Sequence, residues 1–311
     1  MVSMLRNLHA STQAAGMFHL LVVYIVWSST YLAIRIAVGE NGGFPPFFMG
    51  ASRLVVAGLI LLLIAKLGKN RIKLTLSETK VLFLTGLALW VGGNGLVMLA
   101  EQNADSGFAA LVVSASPIWA AAMEAVICRR LPSVLLISSL LLGFLGVGVL
   151  MAPSLLSSNS TSMIAGAALL LASICWSAGS VYQTRQPVTL AAPAMSAYQH
   201  LFASAGFLVL AVITGEPCPT PTTGAWIAWG YLIVFGSILA FTSYILTLRL
   251  LPLDIAMTYA YVNPVLALLL GWWFLDETIT LWTVAGAVMV IIGVVGVYKD
   301  KFQATKVPVL D

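Results

Sequence analysis

The segment YVNPVLALLLGWWFLDE, residues 261–277, joins a long apolar run to a proline, an asparagine and two closing acids. Its length is typical of a helix that crosses a bilayer, which needs about 20 predominantly apolar residues. Pro264 lies inside the run, where a proline removes one N–H donor and displaces the carbonyl four residues earlier. A carbonyl freed within hydrocarbon must find a partner in the protein or in a water-filled cavity. The segment therefore predicts a spanning helix with a bend.

The same pattern occurs earlier in the chain, so the sequence contains an internal repeat. The matched segments are SASPIWAAAMEAVICRRLPS (114–133) with YVNPVLALLLGWWFLDETIT (261–280), and VWSSTY (26–31) with CWSAGS (175–180). Pro117 aligns with Pro264, and the basic pair Arg129–Arg130 aligns with the acidic pair Asp276–Glu277. Because the prolines share one position in the two copies, we interpret them as a kinked pair that lines a central path. A purely structural bend is the alternative.

The composition places the whole chain in a membrane. Of the 311 residues, 60% are hydrophobic and 8% are charged, whereas a soluble domain carries about 25% charged residues. Long continuous apolar runs favour helices over an outer-membrane barrel, whose strands alternate in polarity. Ten apolar segments predict ten spans, at 17–38, 46–66, 81–100, 107–127, 134–152, 163–183, 194–213, 225–247, 253–275 and 281–298. The predicted fold class is an all-α integral membrane protein with ten transmembrane helices.

Two copies of five helices must run in opposite directions through the membrane, because five is an odd number. Lys and Arg concentrate on the cytoplasmic side of membrane proteins. Apart from Arg35 and Arg53, every Lys and Arg lies at or beyond the span ends on the side of the N-terminus, which predicts an N-in, C-in orientation. The predicted units are a five-helix repeat at 17–152, an inverted repeat at 163–298, and polar tails at 1–16 and 299–311.

Three segments resemble the EamA family of the drug/metabolite transporter superfamily. They are WSSTYLAIR (27–35), PFFMGASRLVVAGLILLL (46–63) and NPVLALLLGWWFLDETIT (263–280). Within that family the chain is most similar to the YddG-type exporters of aromatic and other apolar amino acids. The resemblance implies ten helices around a central cavity in a bacterial inner membrane. Arg130 stands where the family often has Glu, and the second repeat lacks the arginine of its second helix, so those positions receive no role by resemblance.

These features together favour a secondary transporter that exports small, largely apolar or aromatic amino acids and related metabolites by alternating access. Inverted repeats recur in such proteins, with the substrate site near the bilayer midplane. Aromatic faces would bury the substrate's side chain, while serines, asparagines and helix breaks would bond its charged groups. A passive facilitator or channel is the alternative. An intramembrane enzyme is disfavoured, because neither a Gly-x-Ser-x-Gly motif nor a His/Glu metal cluster occurs.

Residues that recur at four-residue steps share one helix face, and polar or aromatic sets of this kind predict the cavity lining. The predicted lining residues are Trp27, Ser28 and Tyr31; Trp90, Asn94 and Met98; Ser114, Ser116 and Pro117; Trp176, Ser177 and Ser180; Ser237, Phe241 and Tyr244; and Tyr259, Asn263 and Pro264. By contrast, the fifth and tenth spans are rich in glycine and aliphatic residues. We expect these two helices to be peripheral and closely packed.

Three ionisable residues within or near the membrane are functional candidates. Arg53 either bonds carbonyls or an acid such as Glu101, or it binds a substrate carboxylate. Glu124 either forms an ion pair at the cytoplasmic end, for instance with Arg129, or carries a proton. His200 is either a hydrogen-bonded structural residue or part of a proton relay.

The expected partners are a small-molecule substrate and the lipid bilayer. No basic cluster interleaved with aromatic residues points to nucleic acid, and neither a cofactor nor a metal is expected. Cys128, Cys175 and Cys218 do not form a disulfide framework. A monomer or a weak homodimer is expected, with the glycine-rich fifth and tenth helices as the dimer contact.

Overall fold

The structure is a computed structural model that describes residues 2–39, 41–102, 106–157, 163–275 and 279–304. Every regular element in these ranges is helical and none is a β-strand, as the sequence predicts. By length and composition, eight described helices are able to cross a membrane, and a shorter apolar helix occupies Val134–Val149. Asp276 and Glu277, the acidic pair of the repeat alignment, lie outside the described residues.

Helices occur at all ten predicted segments. In chain order they are α1 (Val2–Val38), α2 (Pro46–Leu67), α3 (Leu76–Ala100), α4 (Ser106–Val113), α5 (Ser116–Cys128), α6 (Val134–Ser157), α7 (Met163–Thr184), α8 (Ala192–Ile213), α9 (Thr223–Leu250), α10 (Leu253–Ala256), α11 (Tyr259–Leu275) and α12 (Leu281–Ala304). The fourth and ninth segments each consist of two helices, α4 with α5 and α10 with α11.

Helices extend beyond the predicted spans. The helix α1 begins at Val2 and α12 continues to Ala304, so both extend into the polar tails. The third helix begins at Leu76 rather than at residue 81, because a capping box precedes it. Thr75 Oγ1 accepts a hydrogen bond from the Glu78 backbone N–H (3.2 Å), and the Glu78 carboxylate accepts one from the Thr75 backbone N–H (3.0 Å). A threonine followed three residues later by glutamate is the usual sequence signature of such a start.

Two long helices contain π-helical stretches that the sequence analysis missed. Leu87–Gly95 is π-helical within α3, and Leu232–Ala240 is π-helical within α9. These helices are the third of the first repeat and the third of the second. π-Helical turns are rare and occur frequently at functional sites. Both stretches adjoin a cavity at mid-bundle.

The two repeat prolines differ in their local structure, which corrects the prediction of one shared kink. Pro117 lies in the first turn of α5, where its missing N–H costs nothing. The chain breaks just before it, and Ser116 Oγ donates to the Val113 carbonyl (2.6 Å), the group that the proline displaces. Pro264 lies inside α11, whose break from α10 comes earlier, at Met257–Thr258. The break before Pro117 therefore has its own local hydrogen bond, and this proline needs no ligand to explain it.

Contacts between loops define two ends of the helix bundle. The basic end includes the loops at 68–75 and 185–191, and the opposite end includes the loops at 41–45 and 214–222. At the basic end, the Arg71 guanidinium donates to Thr189 Oγ1 (2.8 Å). At the opposite end, the Thr220 backbone N–H donates to the Gly43 carbonyl (3.0 Å). In the sequence, neither 41–45 nor 214–222 carries Lys or Arg.

Close packing of glycines joins α6 to α12. A Cβ atom added at Gly293 would lie 2.8 Å from the Gly143 backbone nitrogen and 2.8 Å from the Ser139 carbonyl oxygen. A Cβ added at Gly146 would lie 2.8 Å from the Val290 backbone nitrogen. The glycine contacts predicted for the fifth and tenth helices are thus made within the chain.

We expect Gly293→Ala to lower the free energy of unfolding by about 1–3 kcal/mol, because the new methyl group meets backbone atoms that cannot move separately. Thermal unfolding in detergent measures the loss. Gly148→Ala is the matched control, because a Cβ at Gly148 has no other atom within 4 Å. Equal melting temperatures for the two variants would show that the glycine contact is not tight.

Candidate functional site

A cavity lies between the helices at mid-bundle. It offers about 60 Å³ to the centres of water-sized molecules, enough for about four to six of them. Its lining consists of Trp27, Thr30, Tyr31, Ile34, Arg53, Trp90, Gly93, Asn94, Val97, Val113, Ala172, Trp176, Tyr259 and Asn263. On α1 and α3, the lining residues lie in the C-terminal half of each helix. That half approaches the end of the bundle opposite to the basic end. The cavity therefore extends from mid-bundle towards that end.

Eight of the predicted residues line this cavity. They are Trp27, Tyr31, Arg53, Trp90, Asn94, Trp176, Tyr259 and Asn263. Met98 was assigned to the same face as Trp90 and Asn94, and this was wrong. The lining face of α3 runs through Trp90, Gly93, Asn94 and Val97, a spacing of three, four and seven residues. Met98 follows Val97 and lies outside this lining face. It is fully buried, with its methyl group near Gly50 of α2.

Four aromatic rings lie together at mid-bundle. The Trp27 ring centroid lies 5.3 Å from that of Trp176, 5.1 Å from that of Tyr244 and 4.9 Å from that of Tyr259. The Tyr244 hydroxyl accepts a hydrogen bond from Trp176 Nε1 (3.2 Å) and contacts Ser180 Oγ at 2.6 Å. Edge-to-face contacts at these distances are favourable. The rings form a rigid aromatic wall, in which Tyr244 and Ser180 support the rings that line the cavity.

Arg53 is the cationic side chain of the lining. It is 2% exposed, and its Nε donates to Ser237 Oγ in the π-helical stretch of α9 (2.8 Å). Its guanidinium carbon lies 5.1 Å from the centroid of the Trp90 ring, within cation–π range. The predicted partner Glu101 is also buried, but both of its carboxylate oxygens have no hydrogen-bond partner among the described residues.

Three residues that line the cavity carry buried polar atoms without partners in the described parts of the chain. Arg53 Nη1, Trp90 Nε1 and Asn94 Oδ1 are buried, and none has a hydrogen-bond partner in the described parts of the chain. Native proteins pair the great majority of their buried polar groups. Two unpaired donors and one unpaired acceptor on lining residues are therefore candidates for contact with a bound molecule.

Most of the predicted serines are bonded to backbone carbonyls rather than exposed to the cavity. Ser28 donates to Ile25, Ser114 to Leu111, Ser116 to Val113, Ser177 to Ser173 and Ser116, and Ser180 to Trp176. Ser237, Phe241 and Tyr244 contact lining residues without lining the cavity themselves. Pro117 is buried beside a helix break, and Pro264 is buried inside α11. The sequence could not distinguish these satisfied hydroxyls from free ones, because serine in a helix commonly bonds the carbonyl of the preceding turn.

Asn263 lines the cavity but bonds the backbone of two helices. The amide orientation that satisfies its neighbours places the nitrogen 3.1 Å from the Tyr259 carbonyl and 3.2 Å from the Tyr24 carbonyl. Asn263 thus joins α11 to α1. It does not bond the carbonyl that Pro264 displaces, which belongs to Ala260.

Two of the ionisable candidates have structural partners. Glu124 accepts from Arg185 at 3.0 Å, with about a third of each side chain exposed, so the predicted ion pair exists but with Arg185 instead of Arg129. His200 is fully buried, and its Nδ1 donates to the Ser196 carbonyl (2.5 Å) because that oxygen can only accept. Its ring packs on Trp90 and Phe241, with centroids 4.8 and 4.9 Å away.

Sequence reasoning missed six lining residues, namely Thr30, Ile34, Gly93, Val97, Val113 and Ala172. Five are small or aliphatic, and in a chain of this composition such residues give no signal of function. Gly93 matters most, because a Cβ there would lie 2.8 Å from the Trp176 ring. Its missing side chain lets the Trp176 ring pack close to the backbone of α3.

The chain matches known proteins along most of its length. The EamA-like transporter family matches it twice, at residues 14–152 and 163–299. The "Uncharacterized inner membrane transporter YedA" of Escherichia coli (strain K12) is 34% identical over 296 residues, which cover 93% of this chain and 92% of that protein. The "Uncharacterized transporter YoaV" of Bacillus subtilis (strain 168) is 22% identical over 282 residues, which cover 89% of this chain and 94% of that protein.

A solved crystal structure has the same overall fold. It superimposes with a TM-score of 0.71 and covers 92% of this chain and 97% of the other, at 19% sequence identity. At this identity the likeness establishes the fold alone.

Proposed function

The chain belongs to the EamA-like transporter family, and from that premise we propose that it exports small, largely apolar or aromatic amino acids and related metabolites by alternating access. The family and the spanning helices make the chain a multi-pass transporter of the inner membrane and not an enzyme. The cargo, the direction and the mechanism are the proposal. Within the family, we propose a YddG-type exporter.

We propose that the bundle is a ten-helix inverted repeat. Equivalent loop contacts at opposite ends support the inversion. After the second helix of the first copy, the Glu78 carboxylate accepts from the backbone N–H of Thr189 (3.3 Å) at the basic end. After the second helix of the second copy, the Glu216 carboxylate accepts from the backbone N–H of Phe47 (2.8 Å) at the opposite end.

Helix pairing and local detail support the same arrangement. The fifth helices of the two copies, α6 and α12, pack on each other, as do the second helices, α2 and α8. The third helix of each copy contains a π-helical stretch. Ser133 Oγ accepts from the Leu136 backbone N–H at the start of α6 (3.0 Å), and its aligned residue Thr280 accepts from the Thr283 backbone N–H at the start of α12 (3.2 Å).

We propose that the basic end faces the cytoplasm, so that both termini lie inside. Positive charge at one end of the bundle supports this orientation, because Lys and Arg are retained on the cytoplasmic side. In that orientation the cavity extends outward from mid-membrane, and the proposed units remain the repeats at 17–152 and 163–298. We propose a monomer or a weak homodimer in the bilayer, with a small-molecule substrate and no nucleic-acid partner.

The aromatic cavity at mid-bundle is the observation that carries the choice of cargo. Trp27, Tyr31, Trp90, Trp176 and Tyr259 offer ring faces and edges to an apolar side chain. The cavity volume, about 60 Å³, is smaller than the roughly 300–1,000 Å³ of sites that bury drug-sized ligands. A small amino acid therefore suits it better than a nucleotide-sized molecule. Nucleotide-like cargo would also call for several Lys or Arg clamps, and Arg53 is the cation in the lining.

The test is uptake of a labelled amino-acid panel into proteoliposomes, with and without a pH gradient. We expect apolar and aromatic amino acids to move and charged ones to move little. No movement of any amino acid would contradict the proposed cargo. Transport that ignores the gradient would favour a passive facilitator and would remove any proton-carrying role for Glu124, whose exposed ion pair already favours a structural one.

A further inference from the structure

Arg53 is a buried cation without a described counter-ion. Its two contacts, the Ser237 hydroxyl and the Trp90 ring, carry no negative charge. Among the side chains that the structure describes, no carboxylate forms an ion pair with Arg53. Burying one charge without its partner is strongly unfavourable. An anion bound in the cavity would compensate this charge.

The surroundings of Arg53 hold the guanidinium in one place. Ser237 fixes Nε at 2.8 Å, and Trp90 covers one face of the group. Gly236 provides the space, since a Cβ at that position would lie 2.9 Å from Arg53 Nη2. The remaining edge, at Nη1, is buried and has no partner among the described residues. This is a prepared donor, because little side-chain freedom is left to lose on binding.

Two further buried polar atoms without described partners belong to residues of the same lining. Trp90 Nε1 is a donor and Asn94 Oδ1 is an acceptor, and both residues line the cavity with Arg53. Two donors, one of them on a cation, match a carboxylate, which accepts through both oxygens. The acceptor matches an ammonium or another N–H group on the same molecule.

We propose that Arg53 binds the carboxylate of the transported molecule, with Trp90 Nε1 as a second donor and Asn94 Oδ1 as the acceptor for its ammonium group. The assignment rests on the proposed transport of amino acids and specifies which part of the substrate each residue binds. The apolar part then lies against Trp27, Trp176 and Tyr259. Monocarboxylates with an apolar body are the substrate class, and amines without a carboxylate are excluded.

The test is ligand binding to the purified full-length protein, followed by the shift in melting temperature and by tryptophan fluorescence. The probes are L-phenylalanine, L-phenylalaninamide, which lacks the carboxylate, and 3-phenylpropionate, which lacks the ammonium. We expect wild-type protein to bind phenylalanine about 10- to 100-fold more tightly than the amide, the usual effect of a hydrogen bond to a charged group. In Arg53→Gln this preference should disappear. Arg185→Gln, at the basic end, is the control that keeps it.

The outcomes separate this inference from the proposed cargo. Equal binding of phenylalanine and its amide to wild-type protein would overturn the role of Arg53 and leave amino-acid transport standing, and this measurement does not depend on how Arg53→Gln folds. Binding of 3-phenylpropionate alone, lost in Arg53→Gln, would support the role of Arg53 and contradict amino acids as cargo. Binding of none of the three probes would overturn both.

Discussion

Gly93→Leu is expected to abolish transport while leaving the protein folded in the membrane. Gly93 lies in the π-helical stretch of α3 between Trp90 and Asn94, and it lines the cavity. A Cβ atom there already comes within 2.8 Å of the Trp176 ring, and the rest of a leucine side chain would occupy the substrate's space. Uptake into proteoliposomes measures the loss, and Gly93→Ala should give a partial one.

Gly230→Leu is the matched control for this prediction. Gly230 lies in α9, and a Cβ there has no other atom within 4 Å, so the same change should leave transport close to the wild-type rate. Size-exclusion chromatography in detergent verifies that both variants are assembled. Wild-type transport by assembled Gly93→Leu would mean that substrate does not pass through this cavity.

Trp90→Ala is expected to cause the largest loss of stability, about 3–5 kcal/mol of the free energy of unfolding. Trp90 is 2% exposed, and its ring contacts Arg53, His200 and Phe241. In a membrane the loss comes mainly from packing, because lipid tails are as apolar as the protein interior. Denaturant unfolding in detergent measures the difference.

Trp226→Ala is the control, since that side chain is half exposed and contacts the rings of Phe44 and Trp229. Its loss should be clearly smaller. Trp90→Phe should fall between the two, because a ring remains against Phe241 while part of the packing is lost. A denaturant-unfolding curve of Trp90→Ala that coincides with that of Trp226→Ala would contradict the position of Trp90 at the centre of the bundle.

The helices themselves could be read from the sequence, because continuous apolar runs of about 20 residues have few alternatives. Large polar or aromatic residues at helical spacing, such as Trp27 and Tyr31, also identified part of the cavity. The capping box at Thr75 is also readable from the sequence, and it starts α3 about a full turn before the apolar run begins. These features depend on neighbours within one helix.

Features that depend on other helices could not be predicted. A π-helical stretch such as Leu87–Gly95 has no local sequence signature, so the position of Gly93 on the lining face could not be predicted. The hydroxyl of Ser116 looks the same in the sequence whether it bonds a carbonyl or faces a ligand. The role of Arg53 depends on what lies beside it, and its contacts with Ser237 and Trp90 come from residues 184 and 37 positions away in the chain.

The measurement that tests the inverted arrangement most directly is labelling of single cysteines with a membrane-impermeant maleimide on right-side-out vesicles. Two variants are needed, one that retains only the native exposed Cys218 and one in which Asn70→Cys is the sole cysteine. These residues lie in the loops that follow the second helix of each copy. We expect Cys218 to react on sealed vesicles and the cysteine at residue 70 to react only after permeabilisation. Reaction of both from the same side would contradict two inverted halves around one cavity.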